Sequence, residues 1–275
     1  MTATHFQHKH ELWLKVLFTS FMIDDEAIKE ELYDFSMMEF RHLRWIAREL
    51  REKGIDYTYD RKMQLYKTDN VFEPLRRLIV EIKNAMEHYP ASPLAARMIT
   101  DEHYLITRLA RILEMPERNA PVTAFDMHRT LPGKQLDAAQ TDALTLFLFE
   151  ESYKEYELIL VYAYMQNKSD DVLERDIYQD LIDESHFHLK SFGNMMAKMG
   201  ILGLPRELHE KTYKIDDVAA FIRSGIEEEE NAKEQCRELA ASIKDKALSD
   251  FFDFINYQES YHIELMKKLL PGTER

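Results

Sequence analysis

The chain is poor in the residues that cross-link or interrupt a fold. Among 275 residues there is one cysteine, Cys236, with only 7 glycines and 8 prolines. A single cysteine excludes a disulfide framework and any paired-cysteine metal site, and it suits a reducing compartment, so a cytoplasmic location is expected. Scarce glycine and proline predict long uninterrupted elements, mostly helices.

Features of membrane and nucleic-acid-binding proteins are also missing. No apolar run reaches the roughly 18 residues of a membrane span, and residues 1–10 are polar and rich in histidine, unlike a signal peptide. The net charge of −14 disfavours nucleic acid and anionic membranes as partners. The composition therefore predicts a soluble globular protein that binds neither.

Apolar residues recur with helical periodicity along both halves of the chain. Helices are predicted near residues 6–22, 25–53, 72–89, 93–115, 137–167, 171–199, 216–244 and 247–270. The segment 117–136 contains Pro121, Pro132 and Gly133 and is predicted to be a linker. It separates an N-terminal domain, 1–116, from a C-terminal domain, 137–270.

A Glu–His pair followed by a glycine occurs twice, which indicates an internal duplication. The first copy reads Glu39-x-x-His42, Gly54-Ile55 and Tyr66-Lys67-x-Asp69; the second reads Glu184-x-x-x-His188, Gly200-Ile201 and Tyr213-Lys214-x-Asp216. The interval from His to Gly is the same in both copies. Asp24-Asp25 and Asp170-Asp171 are also separated by the same number of residues as the two glycines. The repeated unit therefore carries residue types that bind metals.

Each half is predicted to be a four-helix bundle with a long crossover. About 16 residues separate helices two and three, and an extended segment of that length reaches roughly 50 Å, more than the roughly 42 Å of a 28-residue helix. The third helix can therefore start at the far end of the bundle. Two copies of about 146 residues are too few and too long for the alternative, an α-solenoid. The fold class predicted is all-α, with two such bundles in tandem.

Candidate metal ligands interrupt the apolar stripes of the four C-terminal helices. A di-metal carboxylate bundle needs one Glu from each of two helices and a Glu/His pair from each of the other two. Glu259 with His262, and Glu184 with His188, supply the pairs. Glu155 precedes His188 by the same interval at which Glu229 precedes His262, so each Glu should lie level with its His. The predicted set is Glu155, Glu184, His188, Glu229, Glu259 and His262.

Some positions near this set leave alternatives open. Glu151 lies one turn before Glu155 on the same face and is a rival ligand. The pair Asp183 and His186 lies off the apolar stripe of its helix. The i, i+4 spacing of Glu184 and His188 has one residue more than the first copy, as a π-bulge would produce.

Two stretches that contain predicted ligands resemble the third and fourth helices of the ferritin-like superfamily, in its rubrerythrin and bacterioferritin branch. They are "GIEEEENAKEQCRELA" and "INYQESYHIELMKKL". The resemblance implies two iron ions, or mixed iron and manganese, and a peroxidase or oxidase acting on dioxygen or peroxide. A homodimer is compatible with it. The chain lacks the rubredoxin-type cysteine module, which excludes a complete rubrerythrin.

The N-terminal half keeps only part of the pattern. Glu39 and His42 interrupt an apolar stripe, but Lys9 stands where the spacing calls for a Glu before His42, and Leu105 takes the place of the second His after Glu102. A partial set of Glu39, His42, Glu81 and Glu102 is one hypothesis, with His8, His10, His88 or His103 as substitute ligands. The other is a degenerate bundle retained for packing, which the sequence favours.

Four functions remain open from sequence. The first is a redox enzyme with a di-iron or iron/manganese centre, and the second is iron handling without an organic substrate. The third is a metal-free helical scaffold, and the fourth is oxygenation of a small organic molecule. Fold alone decides none of them.

Overall fold

A computed structural model describes residues 1–61, 68, 70–115, 130–203 and 206–270. The described residues contain α-helices and no β-strand, as the periodicity predicts. None of these helices is long and apolar enough to cross a membrane. Tyr66, Lys67 and Asp69 of the repeat, most of the predicted linker and residues 271–275 lie outside the described residues.

The first four helices lie close to their predicted positions: α1 is Ala3–Met22, α2 is Glu26–Glu52, α3 is Phe72–Glu87 and α4 is Pro93–Leu113. The largest difference is at α1, which begins three residues earlier than predicted. Thr2 explains it, because its hydroxyl caps the helix and the side chain of His5 reciprocates on the Thr2 backbone N–H. Asp25 and Ser92 cap α2 and α4 in the simpler one-way manner.

The remaining helices are α5, Ala138–Lys168; α6, Val172–Lys198; α7, Glu210–Tyr213; α8, Val218–Ser242; and α9, Lys246–Lys268. Only the four-residue α7 is absent from the sequence prediction. Aspartates cap the four long helices, and Asp137 forms a full capping box with Gln140 at the start of α5.

Both glycines of the repeat end a helix. Gly54 follows α2 with φ 65°, and Gly200 follows α6 with φ 74°. The amide of Ile55 donates to the carbonyl of Leu50 across the end of α2 (2.9 Å), which closes the helix through a left-handed residue. The spacing of these glycines therefore marks two equivalent helix ends.

The chain divides into two compact units. Unit 1 comprises Met1–Met127 and Gly200–Glu207, and unit 2 comprises His128–Met199 and Leu208–Arg275. The sequence analysis assigned residues 200–207 to the C-terminal domain. They group with unit 1 because Leu202 packs against its apolar core and the guanidinium of Arg61 donates to the carbonyl of Arg206 (3.0 Å).

Helix contacts follow the same cyclic order in the two units. In unit 1, α1 contacts α2 and α3, and α4 contacts α2 and α3. In unit 2, α5 contacts α6 and α8, and α9 contacts α6 and α8. Each long helix thus contacts two other long helices of its unit. The apolar stripes meet in a core that includes Leu75 and Ile82 in unit 1 and Leu181 and Phe252 in unit 2.

Candidate metal centre

Among the described residues, each unit contains a buried group of carboxylates and imidazoles. In unit 2, ligand atoms of His188, Glu259 and His262 lie within 4.8 Å of one another; in unit 1, Glu39, His42 and Glu102 do so. These are the residue types that bind transition metals in helical bundles.

Four helices of unit 2 supply the predicted ligands to the same place. Glu155 comes from α5, Glu184 and His188 from α6, Glu229 from α8, and Glu259 and His262 from α9. Five of the six side chains are buried, and that of Glu184 is 22% exposed. In the acidic run 227–230 only Glu229, the predicted ligand, is buried, and the other three glutamates are exposed.

Glu259 lies at the centre of the hydrogen-bond network in unit 2. One of its carboxylate oxygens lies 2.9 Å from Nδ1 of His262, and the other lies 3.6 Å from Nδ1 of His188. The same Nδ1 of His188 donates to Glu155 over 2.7 Å. Nε2 of His262 faces a carboxylate oxygen of Glu184. The two imidazole rings have centroids 5.4 Å apart.

Burial and mutual attraction shift the pKa values of these groups in opposite directions. Burial, together with the charge of Glu259, raises the pKa of Glu229 well above its usual value. Burial alone would raise the pKa of Glu259 too, but hydrogen bonds from His262 and Glu229 and the nearby His188 lower it. Burial opposes the charged form of His262, yet Glu184 and Glu259 raise its pKa well above 6.5. These shifts favour the protonated forms of Glu229 and His262 and the ionised form of Glu259.

The i, i+4 pair on α6 reaches the cluster without a bulge. Val172–Lys198 is continuous α-helix, so the π-bulge suggested by the spacing is not formed there. Four residues along an α-helix bring both side chains to the same face, which suffices for Glu184 and His188. His186, predicted to lie off the apolar stripe, is buried as well, whereas Asp183 is exposed.

Glu151 and Glu155 differ in their contacts. Glu155 touches His188, while Glu151 lies in the same electrostatic environment without a hydrogen bond to either imidazole among the described contacts. Burial, only partly offset by the charge of Lys154, raises the pKa of Glu151 to about 7. Glu151 is thus a neighbour of the cluster.

Two further residues at the cluster escaped the sequence analysis. Lys154 on α5 places its ammonium 4.0 Å from a carboxylate oxygen of Glu229. Gln258 on α9 lies 3.3 Å, through its side-chain oxygen, from Nε2 of His188. Each is the direct sequence neighbour of a predicted ligand, so it lies off the apolar stripe of its helix.

Tyr162 and Cys236 lie close enough to feel the charge of the cluster. Both are buried, and burial together with the surrounding carboxylates raises the pKa of each above its usual value. The ring of Tyr162 stacks on that of Tyr178 with centroids 6.2 Å apart. Both side chains therefore stay neutral at ordinary pH.

The group in unit 1 also contains the ammonium of Lys9, the residue that stands where the spacing calls for a Glu. Nζ of Lys9 lies 2.6 Å from Glu39 and also hydrogen-bonds to Glu102. Glu81, proposed as a further member, instead binds Lys15 on the surface at 2.9 Å.

The substitute histidines do not join the unit 1 group. His8, His88 and His103 are exposed. His10 is buried, but its ring packs against Trp13 and Tyr59, with centroids 5.9 and 5.3 Å away.

No family model, curated protein or solved structure matches this chain.

Proposed function

We propose that each unit is a ferritin-like four-helix bundle with a long crossover, and that the two arose by duplication. The shared cyclic order of helix contacts supports this proposal. The lengths and positions of α2 and α6 support it too. Both helices are 27 residues long, and their first residues are separated by the same number of residues as Gly54 and Gly200. Within the described residues α2 does not contact α3, which follows it in sequence, so the connection has to reach a diagonal neighbour.

The function that the site supports best is binding of two transition-metal ions by unit 2, iron or mixed iron and manganese, for redox chemistry on dioxygen or peroxide. The observation that carries it is that four helices bring four carboxylates, including that of Glu259, and two imidazoles into one cluster. Burying several carboxylates costs several kcal/mol each unless cations or protons compensate them. One buried oxygen of Glu155 has no hydrogen-bond partner among the described residues, as expected of a ligand atom.

The donor set fits a di-metal centre. Bridging and terminal carboxylates would come from Glu155, Glu184, Glu229 and Glu259, and each imidazole would complete one metal. Bound iron or manganese would supply a Lewis acid and a source of electrons for the oxidant. The protein would exclude bulk water, since the cluster is almost wholly buried.

Burial raises the pKa of Glu229, and the neighbouring carboxylates raise the pKa values of His188 and His262, which favours the protonated forms of all three. Metal ions bind deprotonated ligands, so loading the site would release these protons. Lys154 beside Glu229 would then act as a fixed positive charge near the centre.

Elemental analysis of purified and metal-reconstituted protein tests the proposal. We expect about two metal ions per chain in the wild type and in Glu39→Ala, but none retained in Glu259→Ala, because Glu259 contacts both histidines. Glu259→Gln keeps the side-chain size and removes only the charge. It should also lose metal, which would show that the loss in Glu259→Ala does not come from the smaller side chain. Peroxide consumption by the loaded protein then tests the redox chemistry.

Other outcomes of these experiments would support the alternative functions. Wild-type protein that takes up no iron or manganese would contradict the proposal and leave a metal-free scaffold. Metal binding with ferrous oxidation, no peroxide turnover and a large assembly on size-exclusion chromatography would indicate iron handling instead.

A further inference from the structure

Three helices of unit 1 enclose an ion-paired lysine at the place where the other unit gathers its carboxylates. Lys9 extends from α1 and is 1% exposed. Its ammonium donates to Glu39 of α2 over 2.6 Å and to Glu102 of α4. The hydroxyl of Tyr89 donates to the same oxygen of Glu102 over 3.2 Å. The ammonium thus joins two carboxylates that are themselves inaccessible to water.

His42 presents the atom that a metal would bind, and a second layer of residues orients it. Nε2 of His42 donates to Asp101 over 3.0 Å, and Asp101 is held in turn by Arg41 (3.2 Å) and Arg97 (3.1 Å). This leaves Nδ1, which has no hydrogen-bond partner among the described residues. A carboxylate on the far nitrogen is the usual support of a metal-binding imidazole.

The free imidazole nitrogen points toward the two carboxylates. Nδ1 of His42 lies 3.9 Å from Glu39 and 3.7 Å from Glu102. The second oxygens of both glutamates, Oε1 of Glu39 and Oε2 of Glu102, are buried without a hydrogen-bond partner among the described residues. Three ligand-bearing side chains therefore converge, each with an unused buried atom.

The ammonium and a divalent ion cannot share this space. Both would lie within a few ångströms of the same two carboxylate oxygens, and like charges repel strongly where water is excluded. The ammonium of Lys9 already donates to one oxygen of each carboxylate, over 2.6 Å to Glu39 and also to Glu102, and its side chain is almost wholly buried. It therefore occupies the position that a metal ion would need.

We propose that Lys9 is the resident cation of unit 1, so that the native unit binds no divalent metal, and that Glu39, His42 and Glu102 form a latent metal site which opens when the ammonium is removed. The ligand class is a divalent transition-metal ion that accepts one imidazole and two carboxylates, such as Co²⁺ or Zn²⁺. The inference does not depend on whether unit 2 binds metal.

Cobalt titration of the full-length chain tests the proposal, with Glu259→Ala as the parent so that unit 2 does not contribute. We expect the parent to show no cobalt absorption band that depends on His42. Lys9→Ala in the same background should bind one Co²⁺ per chain by equilibrium dialysis and gain a visible absorption band. The added ion should also raise the melting temperature of Lys9→Ala, but not that of the parent.

Matched variants separate the latent site from adventitious binding to exposed histidines. Adding His42→Ala to Lys9→Ala should remove both the absorption band and the metal-dependent rise in melting temperature. Lys9→Arg keeps the positive charge and should bind no cobalt. If Lys9→Ala does not fold alone, Lys9→Ala/Glu39→Gln removes one of the two buried charges and should still bind cobalt through His42 and Glu102.

Two results would overturn the proposal. One is His42-dependent cobalt binding by the parent that still carries Lys9. The other is folded Lys9→Ala protein that binds no Co²⁺ above the level of its His42→Ala counterpart. Because unit 2 is disabled throughout, neither result bears on the metal centre proposed there.

Discussion

Lys9 and Glu155 occupy equivalent places in the sequence, each at the same interval before a buried histidine, and they carry opposite charges. Lys9 donates to two carboxylates in unit 1, whereas Glu155 accepts from His188 in unit 2. A buried carboxylate cluster requires positive compensation, because removing one partner of a buried ion pair costs about 3–5 kcal/mol. Unit 1 has this compensation in the side chain of Lys9, whereas in unit 2 the raised pKa values of Glu229 and His262 favour protons that metals could replace.

A lysine at position 155 should prevent unit 2 from binding metal, as Lys9 is proposed to do in unit 1. We expect Glu155→Lys to abolish metal retention by unit 2, because its ammonium would lie among Glu229, Glu259 and the metal positions. Elemental analysis after reconstitution should show at least a tenfold lower metal content. Glu150→Lys makes the same charge change at an exposed position of α5 and should retain metal. Full metal content in folded Glu155→Lys would contradict this account.

A buried neutral histidine should make unit 1 sensitive to acid. Burial and the charge of Arg61 lower the pKa of His10 from 6.5 to about 3. The unfolded chain therefore takes up a proton that the folded unit refuses, so the contribution of His10 to stability is present above pH 6.5 and declines as the pH falls toward 3. The slope approaches about 1.4 kcal/mol per pH unit in that window.

Denaturant unfolding between pH 7 and pH 4 measures this contribution. His10→Gln keeps a hydrogen-bonding side chain but cannot titrate, so the free energy of unfolding should fall less steeply with decreasing pH. Parallel curves for the two proteins would show that His10 is not the group responsible.

At the scale of the helix, the sequence predicted positions and ends closely. Apolar periodicity located all eight long helices of the described ranges, and the repeated glycines marked two of their ends. The misses have local causes: the Thr2 capping box extends α1, and the four-residue α7 is too short to show a period. The predicted bulge failed because a continuous helix already brings residues four apart to one face.

The left-handed glycine after α2 gives a direct test of helix termination. We expect Gly54→Ala to lower the free energy of unfolding by about 1 kcal/mol, because φ 65° strains a residue with a Cβ. Apart from its chain neighbours, no atom of the described residues would lie within 4 Å of a Cβ at this position, so the effect is conformational and does not reflect a clash. Gly54→Asn should cost less, since asparagine tolerates this region. Equal losses for Ala and Asn in denaturant unfolding would contradict the explanation.

At the scale of the whole molecule, the division into units does not follow the chain. Residues 200–207 belong to unit 1, although the helices on both sides of them belong to unit 2. Leu202 and Arg206 make the contacts that explain this grouping. Composition marks linkers but does not reveal which core a connecting segment joins, so the boundary at residue 116 leaves this part of unit 1 out.

The sequence alone determined the all-helical class, the helix positions and the six residues that meet in unit 2, because periodicity and equal intervals depend on neighbours along one helix or hairpin. Only the tertiary structure decided what compensates the buried charges. It brought Lys9 to Glu102, far away along the chain, and directed Glu81 outward to Lys15. Compensation depends on which atoms lie within a few ångströms in a dry core, and sequence spacing does not specify those distances.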